Sequence, residues 1–298
     1  MPLVDPHRTF QVAIVCGGHG PQRGESLASA RALASELARC GHLPTLIDSA
    51  EMSPEAIEWP AYQICHVGIA DDGEWHRRLQ GRGIVHTGSS AEAVELAASR
   101  ASARQFLLRF DVPTPQFVLL RNRVSPVEAV ARVASLGYPL LVRSDDRRIG
   151  HTRAVRSPDE LLETLRELFP TTPRVICERS LQGRAYSVVL QGEVVLPPVS
   201  TALPGDVSRS VTHELTLAER QMLGHVASMT GVALGMSGLV QVEVVIDHHG
   251  RPWVLEANPL PALTEDSVVA RAASKAGLSL AELCQWLVQD CLMVESFR

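Results

Sequence analysis

Gly238-Leu239-Val240-Gln241-Val242-Glu243-Val244-Val245-Ile246-Asp247-His248-His249-Gly250-Arg251-Pro252-Trp253-Val254-Leu255-Glu256-Ala257-Asn258-Pro259 reads as two strands rich in β-branched and apolar residues, joined by a turn at His249-Gly250. A two-residue loop centred there suits a hairpin in which glycine supplies the positive φ. His248 then opposes Arg251. Counting back along each strand sets Glu243 opposite Glu256 and Gln241 opposite Asn258, all on one face. Two facing carboxylates destabilise a strand pair. A hard cation between them, with the Asn258 carbonyl as a further oxygen ligand, resolves the conflict. The alternative is a slightly different loop length, with one acid turned to solvent. We favour the metal reading because Glu256-Ala257-Asn258-Pro259 puts polar groups where a purely structural strand carries apolar ones.

Composition bounds the class of protein around this hairpin. The 298 residues accommodate two or three modest α/β units, each with its own core. An apolar fraction of 45% and a mean hydropathy of +0.06 fit a soluble globular chain, and no run reaches the length of a membrane span. Met1 to Arg8 lacks an apolar signal core, so a cytoplasmic enzyme is expected. The six cysteines are scattered with no CxxC pair, which speaks against a zinc ribbon or a disulfide scaffold. A net charge of −5 gives no reason to expect a nucleic-acid partner. Lys275 is the only lysine, so an arginine where a lysine is expected reflects a bias of the whole chain.

From the N-terminus, Phe10 to Cys16 is a strand, Gly17-Gly18-His19-Gly20-Pro21 a turn, and Gly24 to Cys40 a helix. Such a turn aims backbone N–H groups at an anion, but its glycine spacing is not the dinucleotide fingerprint. Strands at Leu43 to Ile47 and Pro60 to Val67 and a helix at Asp72 to Gln80 complete the alternation of a doubly wound parallel sheet, ending near Ser90. Ala91 to Phe110 reads as one helix, stopped before the proline-punctuated Asp111-Val112-Pro113-Thr114-Pro115. A second unit follows: strand Gln116 to Leu120, helix Val127 to Leu136, strand Gly137 to Arg143, helix Glu160 to Leu168 and strand Pro173 to Glu178. Between Ser144 and His151 lies a polar loop carrying Arg147, Arg148 and Gly150. It reads either as an arginine loop closing over phosphates or as a solvated hairpin tip. Tyr186 to Leu190 and Val194 to Val199 are further strands, Ser200 to His213 is irregular, and helices Thr216 to Gly231, Ser267 to Ala276 and Leu280 to Met293 close the fold.

Read together, these pieces resemble the ATP-grasp carboxylate–amine ligases, and most closely the D-alanine–D-alanine ligases. The resemblance spans nearly the whole chain. It is carried by Cys16-Gly17-Gly18 with Ser26-Leu27, by His66 followed by Asp71-Asp72-Gly73, and by Thr87-Gly88-Ser89. It continues in Gly137-Tyr138-Pro139 with Arg143, in Glu178 with Leu181, and in Glu243, Glu256 and Asn258 closed by Pro259. It implies an ATP-grasp fold with an N-terminal doubly wound, Rossmann-like domain (residues 1–90) and two α+β subdomains (91–180 and 181–298) that clamp the nucleotide.

By the resemblance, Arg100 and Arg143 touch the phosphates where the family usually carries lysines, with Arg147 and Arg148 on the covering loop. Glu178 accepts from the adenine amino group, and backbone at Arg179, Ser180 and Leu181 pairs with the ring. Glu243, Glu256 and Asn258 hold Mg²⁺. Gln22, Glu25, Ser26, His66 and Ser267 serve the substrates. ATP phosphorylates a carboxylate to an acyl phosphate, which an amine then attacks, and positioning and charge neutralisation supply most of the catalysis. A homodimer is a further implication, since the family commonly pairs through its N-terminal domain.

The chain also departs from the family. Gln241 stands where the ligases carry an oxyanion-stabilising arginine, and Ala262 replaces a glycine beside it. Ala185 sits where a ribose-binding carboxylate is expected, and the covering loop is Asp145-Asp146-Arg147-Arg148-Ile149-Gly150 rather than Gly-Ser-Ser. The segment after Val199 is short and lacks its usual lysine, and Gln22 takes the place of a glutamate, unless Glu25 substitutes. Three readings follow: a carboxylate–amine ligase with a substrate other than two D-alanines, a degenerate homologue that binds nucleotide or a partner without ligating, and an authentic D-alanine–D-alanine ligase.

Overall fold

The computed structural model describes residues 8–69, 73–202 and 214–295. Asp71, Asp72 and His213 lie outside the described residues. Strands β1 (Gln11–Cys16), β2 (Leu43–Asp48), β3 (Ile64–Val67) and β4 (His86–Thr87) form a parallel sheet in the order β2-β1-β3-β4, with helices α1 (Arg23–Arg39) and α2 (Glu74–Gln80) between them. The strand order reverses between β1 and β3, and a doubly wound sheet opens its ligand crevice at the carboxyl ends of such strands. Gly17 and Gly68 sit there. The expected strand from Pro60 is shorter, because Trp59–Ala61 forms a 3-10 turn around Pro60.

The single helix expected over Ala91 to Phe110 is two, α3 (Ala91–Ala98) and α4 (Arg100–Arg109). Ser99 breaks it. Its backbone is extended, and its hydroxyl accepts from Ser102 N–H at 3.2 Å while donating to the Asp145 carboxylate at 3.0 Å. A serine at an N-cap offers the backbone this alternative to continuing the helix. The buried Asp145 also accepts from Ala101 N–H at 2.8 Å, so the start of α4 is fixed to the loop after the next sheet's second strand.

That sheet is antiparallel, in the order β5-β8-β6-β7, built from β5 (Phe117–Arg121), β6 (Leu140–Ser144), β7 (Thr152–Val155) and β8 (Arg174–Arg179). Helices α5 (Pro126–Val133) and α6 (Pro158–Leu168) cover one face and share a core with Leu120, Leu140, Val142 and Val175. The third sheet runs β10-β9-β12-β13 with β11 also on β9, from β9 (Gly183–Gln191), β10 (Val194–Val195), β11 (Val199–Thr201), β12 (Leu239–Asp247) and β13 (Pro252–Asn258). Helix α7 (Leu217–Ala233) packs on one face through Leu223, Val226 and Ala227, against Val242, Val244 and Val254. The site lies on the other.

Helices α8 (Val268–Lys275) and α9 (Leu280–Glu295) join the first sheet to the third in one core, in which Val12, Ile14 and Leu33 meet Val189, Leu239, Leu283 and Leu287. Polar contacts reinforce the junction. Ser237 and Ser89 exchange hydrogen bonds at 3.1 Å, and Gly238 (φ +67°) approaches so closely that a Cβ there would stand 2.7 Å from Gly88 Cα. Among the described residues no helix is long and apolar enough to cross a membrane.

Candidate active site

The β12–β13 hairpin pairs Glu243 with Glu256 and Gln241 with Asn258, as expected, but by a different route. Its loop has three residues, His248-His249-Gly250, with Gly250 at φ +76° and Asp247 N–H donating to Arg251 O at 3.0 Å. The Asp247 carboxylate accepts from Trp253 Nε1 and from the Arg251 and His249 N–H groups, which holds its pKa down at about 2. The longer loop shifts the register by one at Val244↔Val254, and a β-bulge at Leu255 shifts it back before Glu256. Leu255 and Glu256 therefore share a face, where Leu255 packs with Ala185 and Val245. Without the bulge, alternation would turn Glu256 into the α7 core.

Around Glu256 the structure gathers arginines from two other elements. Arg143 at the end of β6 donates through Nη2 to Glu256 Oε2 at 2.7 Å, and Arg100 Nε stands 3.4 Å from the same oxygen. Arg147 from the loop pairs through Nε with Glu256 Oε1 and donates through Nη1 to Asn258 Oδ1 at 3.1 Å. Arg148, its neighbour, folds back onto Asp146 at 2.7 Å instead. Burial pushes the Glu256 carboxyl up, but Arg147, Arg100 and Arg143 outweigh it and hold the group well below the ordinary range. Glu243 goes the other way: burial and the facing Glu256 raise its pKa, and it forms no hydrogen bond or ion pair among the described residues.

Sequence reasoning missed Arg104. It lies one helical turn beyond Arg100 on α4, only 2% exposed, and its guanidinium pairs with the equally buried Glu178 and donates to Leu255 O at 3.1 Å. Arg143 Nε stands 3.5 Å from Glu178 on the other side. The i, i+4 spacing of Arg100 and Arg104 was the available signal, because it places both on one helix face. Arg104 thus ties β8 to β13 across the cleft. Arg104 Nε and Nη1 are buried without hydrogen-bond partners, and Glu178 is met by ion pairs alone, so this pocket holds polar capacity beyond what the protein itself uses.

At the hinge, Arg179 N–H donates to Gln116 O and Ser180 N–H to Pro139 O, while Leu181 packs beside Ala185, Val245 and Leu255. The position expected to carry a ribose-binding carboxylate is therefore part of an apolar wall. Gln241 points from the hairpin toward the buried Ser187 on β9, Nε2 to Oγ 3.4 Å.

The N-terminal wall carries one acidic side chain, Glu25 of α1, among uncharged groups. Gln22, Glu25, Ser26 and His66 line one cleft together with Arg147, Arg148, Asn258 and Ala262. Ser26 Oγ accepts from Gly17 N–H at 2.9 Å and donates to Gly68 O at 2.6 Å, which spans the β1/β3 crevice. His66 Nδ1 meets Thr87 Oγ1 at 2.7 Å, and burial lowers the imidazole pKa to about 4, leaving it uncharged near neutrality. Ser267 is not among the cleft residues; its hydroxyl caps α8 by accepting from Ala270 N–H at 3.1 Å.

Four arginines (100, 104, 143 and 147) against three glutamates (178, 243 and 256) leave this centre with a surplus of one positive charge, suited to a polyanion. Among the described residues no three Asp, Glu, His or Cys side chains cluster to hold a metal. The facing Glu243 and Glu256 carboxylates fit a hard divalent cation when a phosphate adds oxygens, whereas Asn258 Oδ1 already accepts from Arg147 and from Leu260 N–H.

Two antiparallel sheets facing each other across a charged cleft, beside a doubly wound domain, define an ATP-grasp carboxylate–amine ligase. The family model for the D-ala D-ala ligase C-terminus matches residues 106–289. A D-alanine–D-alanine ligase of Stutzerimonas stutzeri is 30% identical over 97% of this chain and 96% of its own length. One of Gloeobacter violaceus is 27% identical over 95% and 100%. The solved D-alanine–D-alanine ligase of Bacillus anthracis complexed with ATP matches the fold with a TM-score of 0.85 at 19% identity, over 97% of this chain and 99% of that one. The chain belongs to the D-alanine–D-alanine ligase family, and is an ATP-dependent ligase that forms carbon–nitrogen bonds.

Proposed function

We propose that this chain joins two D-alanine molecules at the expense of ATP, with Mg²⁺ as the counter-ion of the phosphates. The observation that carries the reading is the full-length match to D-alanine–D-alanine ligases at up to 30% identity, combined with an acid face and arginines converging on one cleft. In this reading ATP supplies the phosphoryl group that activates a substrate carboxylate. Arg100 and Arg143 would neutralise phosphate charge, Glu243 and Glu256 would hold the metal, and Glu178, paired with Arg104 and faced by Arg143, would accept from the adenine amino group. Gln22, Glu25 and His66 face the first amino acid. A neutral His66 donates or accepts one hydrogen bond without competing for the carboxylate.

The test is dipeptide formation from D-alanine with Mg²⁺ and ATP, read by mass spectrometry beside phosphate release, with Glu256→Gln as control. Turnover of D-alanine that Glu256→Gln abolishes supports the reading. Phosphate release with other amino acids or small acids but none with D-alanine overturns it.

A second reading, ligation with a different acceptor, is favoured by Gln241. Its amide brings no charge to a place where the family carries a guanidinium, and it is held by Ser187. Gln241→Arg distinguishes the two: a gain in D-alanine turnover marks a chain whose native acceptor is another amine.

A further inference from the structure

We propose that Arg147 is a resident cation of the Glu256–Asn258 half of the acid face, so that a divalent metal in this chain binds on the Glu243 side alone. The inference rests on the ATP-ligase reading and narrows it. The oxygen donors fall into two pairs. Glu243 and Glu256 face each other across the strands, whereas Glu256 and Asn258 lie two residues apart on β13 and share its site face. Arg147 bridges the second pair, Nε to Glu256 Oε1 and Nη1 to Asn258 Oδ1 at 3.1 Å. Asn258 Oδ1 also accepts from Leu260 N–H at 2.9 Å, so both of its acceptor directions are in use. Glu256 Oε2 is held by Arg143 at 2.7 Å and faced by Arg100. Glu243 is the one acid of the face with no cationic partner in contact among the described residues.

The arginine is seated. Arg147 N–H donates to Ala98 O at 2.9 Å, which fixes the loop to the end of α3, and the side chain is only 21% exposed. A guanidinium has donors only and stays charged. At the Glu256–Asn258 pair it therefore supplies permanent positive charge that needs no free metal.

The test counts Mn²⁺ bound per chain, by electron paramagnetic resonance titration of the full-length protein saturated with adenylyl imidodiphosphate. One Mn²⁺ is expected in the parent and in Arg147→Lys, and two in Arg147→Met. Two in the parent, or one in Arg147→Met, overturns the inference. A merely structural role for Arg147 moves the melting temperature and leaves the count unchanged. Failure of the analogue to bind the parent brings down the ATP-ligase reading, and this inference with it. Binding with the wrong count brings down this inference only.

Discussion

The two walls of the cleft are built on different physics. The wall formed by β6, β8, β13 and α4 is a chain of alternating charges, Arg104–Glu178–Arg143–Glu256–Arg147, drawn from four separate segments. The wall formed by the ends of β1, β3 and β4 is uncharged apart from Glu25 of α1 and satisfied by short hydrogen bonds among Ser26, Gly17, Gly68, His66 and Thr87. Charges interact over distance and are costly to leave unpaired after burial, so the first wall forms only when every segment is in place. The second wall needs little beyond the crevice of its own sheet.

The contrast is most directly broken at its centre. Glu256→Gln removes the carboxylate on which three arginines converge and should lower kcat by about 10² to 10³-fold, on the scale of losing one preorganised electrostatic contact. A smaller loss than that of His66→Gln would reverse the ranking of the walls. Arg104→Met strips the buried Glu178 of its closest partner and should cost about 3 kcal/mol in urea unfolding. Arg147→Met leaves Glu256 its pairs with Arg143 and Arg100 and should cost less, about 2 kcal/mol. On the N-terminal side, Ser26→Ala leaves Gly17 N–H and Gly68 O without this partner and should cost about 1–2 kcal/mol.

pH separates the walls further. His66 has a pKa near 4 in the folded chain against 6.5 when exposed. As pH falls through that window the unfolded chain takes up a proton and the folded chain does not, so stability decreases. Glu256, held down by its arginines, adds its loss only below its ordinary value of 4.5. Unfolding free energies measured from pH 7 to 3 should show a shallow early decline that His66→Gln flattens, and a later one that Glu256→Gln removes. The smallest effect is expected at the hairpin tip. Gly250→Ala meets no atom within 4 Å, so only its positive φ resists the change, at about 1 kcal/mol.

The hairpin shows how a correct reading can rest on two compensating errors. The facing of Glu243 and Glu256 was legible, because strand alternation fixes which residues share a face once one pair is known. The loop length was not, since Asp247 closes a three-residue turn through its carboxylate, and neither was the bulge at Leu255 that restores the register. The break at Ser99 was equally hidden. Its helical surroundings dominate the local pattern, and what stops the helix is a hydrogen bond to Asp145, far away in the chain. Ser267, which the resemblance assigns to the substrates, stands before α8, and its hydroxyl caps that helix.

By itself the sequence determined the doubly wound domain, the two later units, the acid face and the family, because those depend on periodicity, turn residues and motif order, which are local. Tertiary structure decided what the arginines do. Arg147 and Arg148 are adjacent and chemically alike, yet one crosses the cleft to Glu256 and Asn258 while the other closes on Asp146 two residues away. A guanidinium pairs with whichever carboxylate the fold brings within reach, and that distance is written in the packing of three sheets.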